Sequence, residues 1–259
     1  MRPSKVWLLL GIATVVALLV VTFVVVFAPS GRSGTSAKVA APATTQPSRN
    51  VVAPTQVSAV PASTLLAAFS GPVARYSRAD GTQIGTVAGT WYGRPLVSPV
   101  LTQQDGFLQV RLAQRPNGST AWIKASAVTL ESTPYRVVIN VVTRHLSLYK
   151  SGTLVLDAPA GIGVTSAPTP TGAFFLAFVA APPSAAWGPF VMVTSAHSNA
   201  ISDWEESGDA IVAIHGPLGS DAAIGTRGAQ VSHGCVRLHV SDLQPLRAVP
   251  VGAPIDIVA

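Results

Sequence analysis

The sequence predicts a mainly β chain: two successive β-modules preceded by one long apolar helix. Three observations predict it. Short runs of alternating apolar and polar residues recur from residue 64 to the C-terminus, separated by Asp-Gly and Asn-Gly turn signals. No strand–helix alternation of the βαβ kind and no internal repeat interrupts them. One stretch near the N-terminus is uncharged and long enough to span a bilayer.

Composition narrows the function classes. Of 259 residues, 48% are hydrophobic and 11% charged, against roughly 25% charged in soluble domains. The excess fits a membrane segment together with abundant Ala and Val. A net charge of +6 comes from 17 Lys and Arg scattered singly, which is not the clustered footprint of a nucleic-acid binder. An anionic cell-surface polymer suits such a diffuse basic surface better. The single cysteine, Cys235, rules out an intramolecular disulfide. In an exported chain an unpaired thiol calls for a reason, and catalysis supplies one.

Residues 1–5 carry Arg2 and Lys5 and are expected in the cytoplasm. Val6 to Phe27 follows as 22 uncharged residues, which at about 1.5 Å per residue crosses a hydrocarbon core of about 30 Å. The basic residues before it favour sending the rest outward, so a single transmembrane helix is expected over 6–28. The competing reading is a cleaved signal peptide with Val26-Phe27-Ala28 as its site. Against it stand the length of the run and Pro29 directly after it. From 29 to 63 the chain is Ala, Pro, Thr, Ser and Val, with too little apolar bulk to offset the entropy of ordering, and a disordered linker is expected.

Residues 64–131 read as a small all-β barrel. Asp80-Gly81, Asp105-Gly106 and Asn117-Gly118 are hairpin turns between β-rich runs. The stretch Phe107-Leu108-Gln109-Val110-Arg111, with Arg115-Pro116-Asn117-Gly118-Ser119-Thr120-Ala121-Trp122-Ile123 after it, resembles the bacterial SH3-like modules that precede catalytic domains in exported wall enzymes. The resemblance implies wall binding or positioning; a passive spacer is the other reading.

Residues 134–259 form the second module. RVVINVV and HLSLYK flank a turn at Thr143-Arg144, and AFFLAFVA, FVMVTSA, DAIVAIHG and CVRLHV follow as strands. One short helix is expected from Ser241 to about residue 248, with Ser241 as its N-cap. His145 and His197 stand alone and are expected on the surface; Trp187, Trp204 and Tyr149 are expected to be packing residues.

A cysteine becomes a nucleophile when a nearby base or positive charge makes its thiolate accessible. His233 lies two residues before Cys235, and His215 lies in Ile214-His215-Gly216. Gly216 and Gly234 allow close backbone approach by a substrate. A buried packing cysteine would not need Ser232-His233-Gly234 before it or Arg237 after it. His233, Cys235 and His239 match no common zinc spacing, and no metal is expected.

His215, a 16-residue spacer and Ser232-His233-Gly234-Cys235-Val236-Arg237 resemble the signature of the L,D-transpeptidases of bacterial cell walls. Leu146-Ser147-Leu148-Tyr149-Lys150-Ser151-Gly152 and Pro168-Thr169-Pro170-Thr171-Gly172-Ala173-Phe174 resemble two further segments of that family. The resemblance implies a β-sandwich and a cysteine-dependent acyltransferase making 3→3 cross-links between peptidoglycan stem peptides through a thioester. It implies Cys235 as nucleophile and His215 as general base and proton donor, with a backbone carbonyl orienting the ring because Gly216 follows it. His233 would shape the site, and the Gly234 N–H, with that of Cys235, would bind the oxyanion. Arg237, Ser232 and Gly216 would contact substrate. No cofactor is implied, and carbapenem-like β-lactams would acylate the same sulfur. Two rivals remain: an L,D-carboxypeptidase or hydrolase using the same cysteine, and a non-catalytic wall-binding protein.

Overall fold

The computed structural model describes residues 59–259. The expected transmembrane helix and all but the last residues of the expected linker lie outside the described residues. Among those described, no helix is long and apolar enough to cross a membrane.

The N-terminal module contains β1 (Thr64–Ala68), β2 (Val73–Tyr76), β3 (Gln83–Val87), β4 (Thr90–Trp91), β5 (Arg94–Pro95), β6 (Val97–Gln104), β7 (Phe107–Arg111), β8 (Thr120–Lys124) and β9 (Thr129–Thr133). Seven of these make one antiparallel sheet in the order β3-β2-β8-β7-β6-β1-β9, while β4 and β5 form a separate hairpin. The turn chemistry sits where the sequence puts it. Asp105 (φ 49°) and Gly106 (φ 79°) join β6 to β7, Gly118 (φ 84°) lies in the β7–β8 turn, and Asp80 (φ 52°) lies between β2 and β3. Alternate residues Leu108, Val110, Ala121 and Ile123 point inward and are buried.

The C-terminal module is a ten-stranded assembly. It opens with β10 (Tyr135–Asn140), β11 (His145–Lys150), β12 (Thr153–Pro159), β13 (Gly161–Gly163) and β14 (Gly172–Ala180). Next come β15 (Val191–His197), β16 (Ile211–His215), β17 (Ala229–Ser232), β18 (Val236–Arg237) and β19 (Pro254–Val258). Strand order is β12-β11-β10-β19-β14-β15-β16-β18-β13-β17. In the β10–β11 hairpin Val137, Ile139, Leu146 and Leu148 are buried. Asn140 Oδ1 accepts hydrogen bonds from Val142 N (2.9 Å) and Thr143 N (2.8 Å) in its turn.

Strand β14 carries the sheet around the corner. Gly172–Phe175 pair with β19 and Leu176–Ala180 pair with β15, the latter with a register irregularity between Leu176 and Phe178. One core therefore lies between the two halves, joining Val137, Ile139 and Leu146 to Met192, Ile214 and Val236. This is a β-sandwich. The helices are short: α1 (Asp221–Ile224), α2 (Val240–Leu243) and the 3₁₀ turn Gln244–Ala248. The expected helix thus begins at Val240, with His239 and not Ser241 at its N-cap and no side-chain cap bond, and it tightens at Pro245, which has no N–H to donate. Helix α1 was not legible in the sequence.

The two modules share packing. Phe174 and Leu176 face the sandwich core, while Phe175 and Ala177, on the other face of β14, belong to the core of the N-terminal module. A strand covered on both faces reads as a continuous apolar run, as Phe174 to Ala177 does; Val179, farther along the same run, is exposed.

Candidate active site

Strand register brings the catalytic candidates together. Strands β16 and β18 are parallel neighbours, with Ile214 opposite Val236 and His215 opposite Arg237. Ile214 and Val236 are fully buried in the core. Side chains alternate, so Ala213, His215, Cys235 and Arg237 all project from the opposite face. On that face lies a cavity of about 540 Å³ whose walls include His215, Cys235, Arg237, Trp187, Trp204 and, from the N-terminal module, Tyr92.

The imidazole of His215 is 1% exposed, stacks at 4.2 Å on Trp187, and has Nδ1 2.8 Å from the Gly216 carbonyl oxygen. A carbonyl only accepts, so Nδ1 carries the proton and Nε2 offers a free lone pair. The expected backbone carbonyl is thus found, and it belongs to the very next residue. Burial, outweighing the Gly216 hydrogen bond and assisted by the Arg237 charge, lowers the pKa of His215 to about 4. The Cys235 thiol moves the other way: burial raises it, against weaker lowering by a hydrogen bond involving the Ala213 backbone and by Arg237. At neutral pH the resting pair is therefore thiol and imidazole, not thiolate and imidazolium.

A tight turn holds Cys235. Ser232 Oγ donates to the Cys235 carbonyl (2.6 Å) and accepts from Gly234 N (3.1 Å), and Gly234 adopts φ 123°, a conformation open to glycine. Thr169 Oγ1 donates to the Gly234 carbonyl (2.8 Å) and accepts from Gly163 N (2.9 Å). The Pro168–Phe174 segment thus has a local task in anchoring this turn.

Several expectations change here. The Gly234 N–H is engaged by Ser232 Oγ and is not free for an oxyanion, which leaves the Cys235 N–H from the original pair. Ser232 lines the cavity but is buried, and its hydroxyl is already engaged by the Cys235 carbonyl and the Gly234 N–H. Gly216 is required by packing: a Cβ there would lie 2.7 Å from Gly188 N and the Trp187 carbonyl carbon. Arg237 does face the cavity, with its Nη1 donating to Ser220 Oγ (2.7 Å). His233 is exposed at the rim and packs its ring at 5.1 Å from that of Trp204. Trp187 and Trp204 are walls of the cleft; Trp187 packs on His215, whereas Trp204 is 42% exposed and belongs to neither core.

His197 is not on the surface. It is 2% exposed, with Nδ1 2.8 Å from Asp209 Oδ2, because the N-terminal module covers it. Asn117 Nδ2 donates to His197 O (2.7 Å), and Asn117 Oδ1 accepts from His197 N (2.9 Å). Arg115 Nε donates to Asp209 Oδ1 (3.0 Å), Nη1 to Ser198 O (2.7 Å) and Nη2 to Ile201 O (3.1 Å). The β7–β8 turn therefore clamps the 198–209 segment that carries Trp204 to His233. The Asn117-Gly118 turn signal and the SH3-like resemblance of Arg115 to Ile123 marked this stretch in the sequence, and neither says anything about a partner. Among the described residues no group of His, Cys, Asp and Glu is arranged to hold a metal.

The sequence model of the YkuD family, described as the L,D-transpeptidase catalytic domain, matches residues 134–257. By this match residues 134–257, just under half of the chain, are similar to an L,D-transpeptidase catalytic domain. Among solved structures, an L,D-transpeptidase from Mycobacterium smegmatis is similar at 17% identity, covering 63% of this chain and 90% of that one, with a TM-score of 0.39. L,D-transpeptidase 3 from Mycobacterium tuberculosis, in complex with a faropenem-derived adduct, is similar at 15% identity over 56% of this chain and 76% of that one (TM-score 0.37). The catalytic domain of the E. faecium enzyme is 22% identical over 48% and 95% (TM-score 0.34). No curated protein matches.

Proposed function

We propose that this protein is a membrane-anchored peptidoglycan L,D-transpeptidase that makes 3→3 cross-links through a Cys235 thioester. The observation that carries the proposal is the convergence of His215, Cys235 and Arg237 on one face of β16 and β18, inside a single cavity.

Cys235 Sγ attacks the carbonyl carbon of the amide between the third residue of a tetrapeptide stem and its terminal D-alanine. Nε2 of His215 takes the thiol proton as the S–C bond forms and delivers it to the departing D-alanine nitrogen as the C–N bond breaks. Because thiol and imidazole are both neutral at rest, proton transfer accompanies attack. The Cys235 N–H supports the developing oxyanion. Arg237 favours the thiolate by its charge and is placed to pair with a substrate carboxylate. An amine on the third residue of a second stem then attacks the thioester carbonyl carbon and gives its proton to His215 Nε2; the C–S bond breaks as the new C–N bond is completed, His215 returns that proton to Cys235 Sγ, and the cross-link leaves the enzyme. No metal or organic cofactor takes part. Carbapenem-like β-lactams, whose strained amide offers the same carbonyl, acylate the same sulfur.

The N-terminal module is read as SH3-like, and residues 6–27 as the anchor that holds both modules on the outer face of the plasma membrane. Incubation with a tetrapeptide stem and weighing of the products tests the reaction. Cross-linked dimer plus free D-alanine is expected. Tripeptide without dimer would make the protein a carboxypeptidase. Identical behaviour of wild type and Cys235→Ala, with no carbapenem adduct on either, would make it a non-catalytic wall binder.

A further inference from the structure

The N-terminal module does more than adjoin the catalytic cleft: it supplies part of its wall. The β4–β5 hairpin turns through Tyr92 (φ 49°) and Gly93 (φ 70°), both left-handed, as a two-residue type I′ turn requires. Such a turn favours Asn, Asp or Gly at its first position. A bulky aromatic there is strained backbone, and strain of this kind collects at functional positions.

Tyr92 is 55% exposed, yet it lines the cavity that holds Cys235 and His215. Its ring meets Trp91 edge-on at 4.9 Å and lies 6.4 Å from Phe178 of β14, and the Arg94 guanidinium sits 5.1 Å over Phe178. Trp91 in turn abuts the buried His197 at 6.0 Å. The hairpin is thus seated on the catalytic module by its aromatic base, by the shared core around Phe175 and Ala177, and by the Arg115 and Asn117 clamp. Burial and the nearby Asp209 raise the Tyr92 pKa, so the phenol is neutral under working conditions.

We propose that Tyr92, presented by the hairpin of the N-terminal module, is a specificity-determining residue that packs its ring on the aliphatic face of the stem peptide in the Cys235 cleft. This rests on the stem-peptide reading given above. The module is then an integral part of the substrate site, and the catalytic module alone has an incomplete one.

The test uses the full-length protein in detergent, a synthetic tetrapeptide stem, and four variants: Tyr92→Ala, Tyr92→Asn, Tyr92→Phe and Cys235→Ala. Tyr92→Ala and Tyr92→Asn are expected to raise KM about tenfold, the factor that loss of one aromatic packing contact gives, and to lower kcat much less. Tyr92→Phe keeps the ring and should stay within about threefold of wild type on the same scale. Asn suits the type I′ turn, so Tyr92→Asn is expected to melt at or above the wild-type temperature while binding peptide poorly. A structural role alone gives the opposite pattern, a stable Asn variant with full activity. KM within twofold of wild type for both Tyr92→Ala and Tyr92→Asn overturns the proposal and leaves the enzyme reading standing. A wild type as inert to the stem as Cys235→Ala overturns both.

Discussion

Replacing Asn117 by Ala tests whether the N-terminal module is fixed to the catalytic module or merely beside it. The Asn117 carboxamide satisfies both main-chain groups of His197 at once, at 2.7 and 2.9 Å, where His197 itself is 2% exposed. Truncation leaves a buried N–H and a buried C=O without partners, at about 1–3 kcal/mol each. Asn117 is half-exposed, so water can reach part of the vacated space, and the expected loss sits in the lower range, about 2–4 kcal/mol. For a folded unit of this size that lowers Tm by about 5–12 °C. Asn199→Ala is the control. It removes only the exposed contact between Asn199 Oδ1 and Asn117 Nδ2 (3.1 Å) and should cost about 0.5 kcal/mol or less. Differential scanning calorimetry reads both. Wild type should melt in one transition because the two modules share the core around β14, and the Asn117 variant should melt earlier or split. An Asn117→Ala protein melting within about 1 °C of wild type, a change that corresponds to well under 1 kcal/mol, would show that the clamp contributes nothing and that the module's seat was misjudged.

Acid should weaken the fold through His215. Its pKa falls from the ordinary 6.5 unfolded to about 4 folded, so the unfolded chain binds the extra proton between those values. Stability is then fully present above about pH 6.5 and lost as pH drops toward 4, by about 3 kcal/mol in all; His215→Gln should flatten this slope in urea titrations at pH 4 to 6.5. The acid limb of kcat/KM should likewise fall nearer pH 4 than 6.5, and a limb centred at 6.5 would mean the imidazole is not buried in the working enzyme. Iodoacetamide alkylation of Cys235 should be slow at pH 7 and still accelerating above pH 9, because burial raises the thiol. Arg237→Ala should push that profile higher still, since the lost charge favours the thiolate, with Ser220→Ala, which removes only a hydrogen-bond partner of Arg237, giving a smaller shift in the same sense. Gly216→Ala should displace Trp187 from His215, because its Cβ has no room. It is expected to destabilise by about 1–3 kcal/mol and to lower kcat, measured by chemical unfolding and stem turnover.

The catalytic candidates were legible because they are neighbours in short stretches of chain. Ser232 to Arg237 is a single turn and strand, and the two-residue period of β16 and β18 puts His215, Cys235 and Arg237 on one face once the strands pair. The hairpin β10–β11 was legible for a similar reason, since alternation around Thr143-Arg144 encodes both the turn and its buried side. Which groups remain free for catalysis was not legible. That Gly234 N–H is taken by Ser232 Oγ, or that Gly216 O orients His215, depends on ångström-scale geometry no residue pattern carries.

By itself, then, the sequence determined the β-rich class, the order of the modules and the His215–Cys235 pair, because local periodicity and a short motif encode each of these. The tertiary structure alone decided that β14 gives one face to the core of each module, that Arg115 and Asn117 reach across to Asp209 and His197, and that Tyr92 lines the cleft. Those pairings join residues roughly 80 to 150 positions apart in sequence, where no local propensity acts. The one trace they left was the apolar run from Ala173 to Ala180, whose middle, Phe174 to Ala177, is buried on both faces, and the run does not say what covers it.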